Sequence, residues 1–275
     1  MRPRGKRSDQ SAEEGIVHDK ETVMDGKHAL HIEADLHSTA QAAAARWAEL
    51  AREAIRERGA FHVALAGGST PRALYEALAR EPWRDQINWR ATFIWFGDER
   101  CVPPTHPDSN YRMAQETLLA LVDCPSTQIQ RMEGERDPHA AARDYQRLLE
   151  TRLPREELPD LPPHLDLVLL GLGSDGHIAS LFPNTAILNQ QIALTDAVFV
   201  PKLSAWRISL TYPLIAAARQ VMMLVTGASK ADIVTAVLHG AAQELPATRL
   251  RSRSAIEWYL DRAAAADFTT GDASC

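Results

Sequence analysis

Asp175, Gly176 and His177 stand together in the stretch DLVLLGLGSDGHIASLFP, from Asp166 to Pro183. A histidine can accept and return a proton near neutral pH, and a neighbouring carboxylate can orient its ring. His177 is therefore the candidate general base. Asp175 is its candidate catalytic partner, orienting the ring or bonding a substrate hydroxyl. The flanking residues say where the pair should sit. Leu167–Leu170 is a run suited to a buried parallel strand, glycines follow, and the segment after His177 reads as a helix. That order puts the pair at the carboxyl end of a strand and the amino end of a helix. Open α/β sheets bind ligands at that edge, and helix amino ends favour anions. Glycines 171, 173 and 176 are expected to leave backbone N–H groups facing a developing oxyanion.

Three more polar clusters also follow strand-like runs. In AGGSTP (Ala66 to Pro71), Gly67 and Gly68 permit close backbone approach, while Ser69 and Thr70 supply hydroxyls to an anion. The pattern is neither GxxxxGK[ST] nor GxGxxG, so a nucleotide is not indicated. It is not GxSxG either, so Ser69 is a poor nucleophile candidate. GDER (Gly97 to Arg100) offers Arg100 as a paired-donor clamp for phosphate, with Asp98 holding a sugar hydroxyl or orienting the arginine. TGASK (Thr226 to Lys230) puts a cation at a helix start, an unfavourable place unless an anion is near. Lys202 and Arg207, around a further short strand, could complete an anion site. Taken singly, these are ordinary features: a glycine turn, a surface ion pair, solvated charges. Taken together, they all fall on one edge if the strands are parallel. The substrate-binding set expected there is Gly67, Gly68, Ser69, Thr70, Asp98, Arg100, Gly173, Lys202 and Arg207.

Regular alternation supplies those strands. His28 to Glu33, Phe61 to Ala66, Thr92 to Phe96, Gln128 to Met132, Leu167 to Leu170, Trp206 to Leu210 and Gln220 to Val225 read as strands. Helical spacing covers His37 to Arg58, stopped by Gly59, and Pro71 to Arg80, about Ser109 to Leu121, Asp137 to Leu153, Leu214 to Ala218 and Lys230 to His239. The expected fold is α/β: an open, mainly parallel, Rossmann-like sheet with helices on both faces. Leu153 to Pro163 is a proline-rich surface connection. Residues 1–25 read as a mobile extension and 26–275 as one domain.

Composition narrows the function. With 30 basic and 36 acidic residues the net charge is −6, which argues against a general nucleic-acid surface. Any anionic ligand must then be held by local charge. Cys101, Cys124 and Cys275 have no CxxC spacing, so neither a disulfide framework nor a zinc site is indicated, and a reducing cytoplasm fits. His28 and His31 would face opposite sides of a strand, which opposes a metal shared with His37. No apolar run reaches the roughly 18 residues of a membrane span, and the basic N-terminus lacks the apolar core of a secretory signal.

AGGSTP, GDER, SNYRMA (Ser109 to Ala114), GLGSDGHIASLFP, the Lys202–Arg207 segment and TGASK, in this order, resemble the 6-phosphogluconolactonases of the glucosamine-6-phosphate isomerase/6-phosphogluconolactonase family. The likeness runs from about residue 30 to residue 262. It implies a fold like that of glucosamine-6-phosphate deaminase and ribose-5-phosphate isomerase. It also implies a cytoplasmic hydrolase of the oxidative pentose phosphate pathway, without cofactor or metal. Its partner would be a sugar-phosphate lactone, with no nucleic acid or membrane, in a monomer or weak dimer. The deaminases continue their histidine motif with a catalytic glutamate, whereas here Ile178 is followed by ASLFP, with no acid. Ile178 and Ser209 stand where the lactonases often carry threonine, and both changes are conservative in size. The alternatives are a deaminase or isomerase of amino-sugar phosphates, and a non-catalytic sugar-phosphate sensor. For the latter, the residues ahead of the domain are too few for a DNA-binding helix pair.

Overall fold

The computed structural model describes residues 22–24, 26–155, 162–240 and 242–267. Its strands are β1 (Thr22–Met24), β2 (His28–Glu33), β3 (Phe61–Leu65), β4 (Thr92–Phe96), β5 (Asp98–Arg100), β6 (Leu167–Leu170), β7 (Thr195–Val200), β8 (Ala205–Leu210), β9 (Gln220–Val225) and β10 (Ile256–Asp261). The helices are α1 (Leu36–Arg58), α2 (Ser69–Leu78), α3 (Trp83–Gln86), α4 (Asn110–Ala114), α5 (Pro138–Arg152), α6 (Tyr212–Ala217), α7 (Ala231–Leu238) and α8 (Pro246–Arg249). Most of the expected mobile extension lies outside the described residues, as do 156–161 of the proline-rich connection and Cys275. Thr22–Met24, inside the span read as an extension, pairs antiparallel with β2.

The main sheet runs β1-β2-β10-β9-β6-β3-β4, and every pairing from β2 to β4 is parallel. The expected parallel α/β architecture is therefore the one observed. From β3 the chain crosses to β4 on one side, while from β6 it crosses through β9 to β10 on the other. Right-handed crossovers then put α1 and α2 on one face and the α6–α8 region on the opposite face. Consistently, α1 packs beside α2 and against β2, β3 and β10, and α7 packs beside α8. The reversal between β3 and β6 is a topological switch point, where the loops diverge and leave a crevice.

The strands are buried runs. Phe61, Val63, Ile94, Trp95, Leu167–Leu170 and Val221–Val225 are all covered, as a sheet flanked on both faces requires. α1 starts at a capping box in which Asp35 accepts from the Ser38 N–H (2.8 Å). Two buried tyrosines pin the ends of the strands that open the crevice. Tyr75 donates to the Ala66 carbonyl (2.8 Å) and accepts from the Ala66 N–H (2.9 Å). Tyr145 accepts from the Phe96 N–H (3.0 Å) and donates to the Gln130 carbonyl (3.1 Å).

Three expectations are corrected. Trp206–Leu210 belongs not to the main sheet but to a small antiparallel sheet, β5-β8-β7. Gln128 to Met132 makes only a single bridge, Ile129 to Ile94, because the chain enters it through a 3₁₀ turn at Ser126–Gln128. The segment after His177 is not a helix. Ala179 has φ +47°, and Ile178 and Leu181 form an isolated antiparallel bridge, so the backbone turns tightly instead.

Candidate active site

The four polar clusters do meet. AGGSTP follows β3, GDER follows β4, GLGSDGH follows β6 and TGASK follows β9, all on the carboxyl edge of the main sheet. The β7–β8 hairpin leans over that edge and brings Lys202 and Arg207. Together they line a cavity of about 380 Å³ that includes Gly67, Gly68, Ser69, Thr70, Asp98, Arg100, Gly173, His177, Lys202 and Arg207. Asp175 reaches the site through His177.

The histidine is held from three sides. Asp175 Oδ1 lies 2.5 Å from His177 Nδ1, and Lys202 Nζ donates to Asp175 Oδ2 (2.8 Å). The Phe182 ring stacks on the imidazole at 4.0 Å between centroids. Burial acts against the Asp175 charge, but hydrogen bonds from Lys202 and His177 outweigh it and bring its pKa down to about 2. An ionised Asp175 can only accept, so Nδ1 is the donor, and in the neutral tautomer the acceptor is Nε2. No helix begins after this ring, so the helix amino end expected directly beside it is not there. The Asp175–Lys202 pair orients the ring. Gly173 is required by proximity, because a Cβ there would overlap His177 Nδ1 and Cε1.

The glycine turn does not offer all the N–H groups expected of it. Gly173 N–H donates to the His177 carbonyl (2.9 Å) and Gly176 N–H to the Gly173 carbonyl (3.0 Å). Both are consumed in shaping the turn, so Gly173 and Gly176 are not oxyanion donors. Lys230 stands in the same wall. Its Nζ donates to the Leu172 carbonyl (2.6 Å), which leaves further protons for the cavity.

The opposite wall is cationic. Arg100 and Arg207 face each other as cross-strand partners of β5 and β8. Arg100 donates to the Asp108 carbonyl and Arg207 to the Trp206 carbonyl (3.3 Å). Among the described residues, neither forms an ion pair. Burial, reinforced by the Arg100 charge, lowers the Arg207 pKa from its ordinary value. Like charges directly opposite on a sheet are unfavourable, so the pair is poised for an anion. The amino end of α2 completes this wall. Gly68 caps it without a side-chain bond, leaving first-turn N–H groups beside the Ser69 and Thr70 hydroxyls. Thr70 Oγ1 lies 2.8 Å from Thr226 Oγ1, tying two of the loops.

The remaining acids of GDER are structural in their contacts. Glu99 is buried and accepts from Asn110 N–H (2.7 Å), Tyr111 N–H (2.8 Å), Arg100 N–H (2.8 Å) and Ser109 Oγ (3.0 Å), so it anchors the start of α4. Its burial raises the carboxyl pKa against those donors. Asp98 accepts from Asn110 Nδ2 (3.0 Å) and Ser180 Oγ (2.6 Å) while still lining the cavity. Asn110, Ser180 and Phe182 escaped the reading of the residues. Each lies inside a quoted motif, but only the folded chain shows that it turns toward the site. Cys101 and Cys124 are not paired, and burial pushes each thiol up to about 11. His28 accepts from Trp258 Nε1 (3.0 Å) and His31 stacks on Tyr259, so these histidines do not converge. No described helix is long and apolar enough to cross a membrane.

An oriented histidine and an unneutralised cationic wall, at the switch point of a parallel sheet, define a small-molecule site of the kind enzymes use for anionic substrates. The comparisons with known proteins agree. Residues 34–258 match the family model described as glucosamine-6-phosphate isomerases/6-phosphogluconolactonase. The 6-phosphogluconolactonase of Haemophilus influenzae is 38% identical over 208 residues, covering 74% of this chain and 85% of that one. That of Streptomyces coelicolor is 37% identical over 243 residues, covering 86% and 93%. The solved 6-phosphogluconolactonase of Trypanosoma brucei superposes with a TM-score of 0.78 at 29% identity, covering 89% of this chain and all of that one. A monomeric glucosamine-6-phosphate deaminase shares the fold, with a TM-score of 0.72 at 22% identity. The chain belongs to the glucosamine-6-phosphate isomerase/6-phosphogluconolactonase family.

Proposed function

We propose that this protein hydrolyses 6-phospho-D-glucono-1,5-lactone to 6-phosphogluconate, a step of the oxidative pentose phosphate pathway, in the cytoplasm. One observation carries the reading beyond family membership. The Arg100–Arg207 pair, without an ion-pair partner among the described residues, lines the same cavity as an imidazole whose Nδ1 is engaged by Asp175. The phosphate docks between the two guanidiniums and the open amino end of α2, with Ser69 and Thr70 as donors. Asp98 retains acceptor capacity for a sugar hydroxyl. His177 Nε2 then takes a proton from water, whose oxygen attacks the lactone carbonyl. Lys230 is the cation placed to stabilise the tetrahedral oxyanion. As the C1–ring-oxygen bond breaks, His177 returns its proton to the departing oxygen, and the ring opens to the acid. A lactone already reacts with water, so positioning, proton transfer and charge stabilisation suffice without a cofactor.

The test is a coupled assay in which fresh lactone is supplied with 6-phosphogluconate dehydrogenase. NADPH should form well above the spontaneous background. Background rates with the lactone, or ammonia release from glucosamine 6-phosphate, would overturn the reading. Binding of sugar phosphate without turnover would instead mark a sensor.

A further inference from the structure

One buried carboxylate joins three of the loops that build the site. Asn110 Nδ2 donates both to Asp98 Oδ1 (3.0 Å) and to the Asp98 carbonyl (2.9 Å). The same Asn110 side chain packs so closely on Gly67 that a Cβ at that glycine would overlap it. On the other carboxylate oxygen, Ser180 Oγ donates at 2.6 Å. Ser180 is held a second time, because its N–H donates to Ser209 Oγ (3.1 Å). Ser209 is itself the cross-strand partner of Asp98 in the β5–β8 pair, two positions from the Arg100–Arg207 pair. Ser180 and Ser209 are 1% and 0% exposed, so water does not compete for these bonds. Between His177 and Ser180 the backbone passes through Ala179 at φ +47°. A residue with a Cβ holds that conformation only where its surroundings fix it.

We infer that Ser180 is a positioning residue for lactone hydrolysis. Its bonds to Asp98 and Ser209 clamp the loop that carries His177 onto the strand pair that carries Arg100 and Arg207. They thereby set the distance between the base and the anchored phosphate. The inference rests on the lactonase reading above. Asp175, Lys202 and Phe182 fix how the imidazole is turned; Ser180 fixes where it stands. The Ser180–Asp98 bond suits this task because a charged acceptor makes it shorter and stronger than a neutral one. Its removal leaves the contacts of the ring with Asp175 and Phe182 in place but frees the loop to shift against the anion wall. A displacement of about 1 Å costs on the order of 100-fold in rate when reacting atoms must meet in one geometry.

The experiment compares the full-length wild type with Ser180→Ala, Ser209→Ala and Ser209→Thr in the coupled assay, with kcat expressed per folded molecule. Ser180→Ala should lower kcat about 10- to 100-fold while KM stays within about threefold of wild type. Its kcat–pH profile should keep the wild-type midpoint with a lower plateau. Inhibition by inorganic phosphate, which probes the anion wall alone, should be unchanged. Ser209→Ala should show the same pattern more weakly, and Ser209→Thr, which keeps the acceptor hydroxyl, should restore kcat. If Ser180→Ala does not fold, the two Ser209 variants decide. Undiminished kcat, a rise in KM alone, a moved pH midpoint, or equal loss in both Ser209 variants would each overturn the positioning role while leaving lactonase activity intact. Absence of turnover in the wild type would instead overturn the lactonase reading and this inference together.

Discussion

The two ends of the parallel sheet carry arginines in opposite circumstances. At the amino end, Asp166 is buried and accepts from Arg58 Nε (3.2 Å) and the His62 N–H (2.8 Å), with Arg219 Nε at 3.7 Å. Burial raises the Asp166 pKa, and these neighbours pull it back toward the charged form. At the carboxyl end, Arg100 and Arg207 face each other with no carboxylate bonded to either among the described residues. The first arrangement is complete in itself, and removing a member should cost stability. On the proposed function the second is completed by the substrate's phosphate, and removing a member should cost binding. Geometry distinguishes an arginine that has a carboxylate partner from one that has none among the described residues, whereas composition does not.

The comparison can be broken in four ways. His177→Asn should produce the largest effect, a loss of about 10²- to 10⁴-fold in kcat, with binding of 6-phosphogluconate unchanged by calorimetry. Near-wild-type turnover would remove His177 as the base. Next is a pH effect from the amino end. Burial, with His164 nearby, lowers the His62 pKa to about 4. The unfolded chain binds that proton near pH 6.5 and the folded chain only near 4, so stability is full above the first value and falls as pH drops toward the second. The loss should amount to about 3 kcal/mol, seen as a difference between wild type and His62→Gln in denaturant melts across that window. Parallel curves for the two proteins would exclude His62 as the cause.

The third and fourth predictions oppose the two arginine sites directly. Arg58→Ala should destabilise the fold by about 2 kcal/mol, since it strips a buried carboxylate of its nearest cation, while KM stays at the wild-type value. Arg207→Ala should raise KM for the phosphorylated lactone about 10- to 30-fold, the worth of one charged hydrogen bond. Its melting temperature should match or exceed that of wild type, because a like-charge contact is relieved. A destabilised Arg207→Ala protein with normal KM would invert the comparison.

Much of this layout was legible beforehand, for physical reasons. β4, β6 and β9 are apolar runs buried on both faces, and their bounds in the sequence and in the structure coincide. Because parallel strands end on one side, the clusters that follow them had to meet. What escaped was structure imposed by partners. β5 is Asp98–Arg100, three polar residues with no apolar alternation, and it is a strand only because β8 pairs with it. Ile178–Phe182 has a helix-like composition, yet the bonds of Ser180 to Asp98 and Ser209 hold it in a tight turn. Both serines are small polar residues whose burial no local pattern announces. Asp98 and Glu99 are neighbours in one motif, but Glu99 caps α4 while Asp98 faces the cavity. Strand alternation, which turns adjacent side chains to opposite faces, separates their roles.

The alignment of two short strands has a consequence for how this pocket can diverge. β5 and β8 oppose Arg100 to Arg207 and, two steps along, Asp98 to Ser209. A one-residue slip of β8 would turn Arg207 away from the cavity and in the same stroke remove the Ser209 hydroxyl that receives the Ser180 amide. An insertion or deletion that alters this pairing therefore disturbs the cationic pair and the serine clamp together. Replacing a side chain at fixed register changes one of these contacts and leaves the other in place.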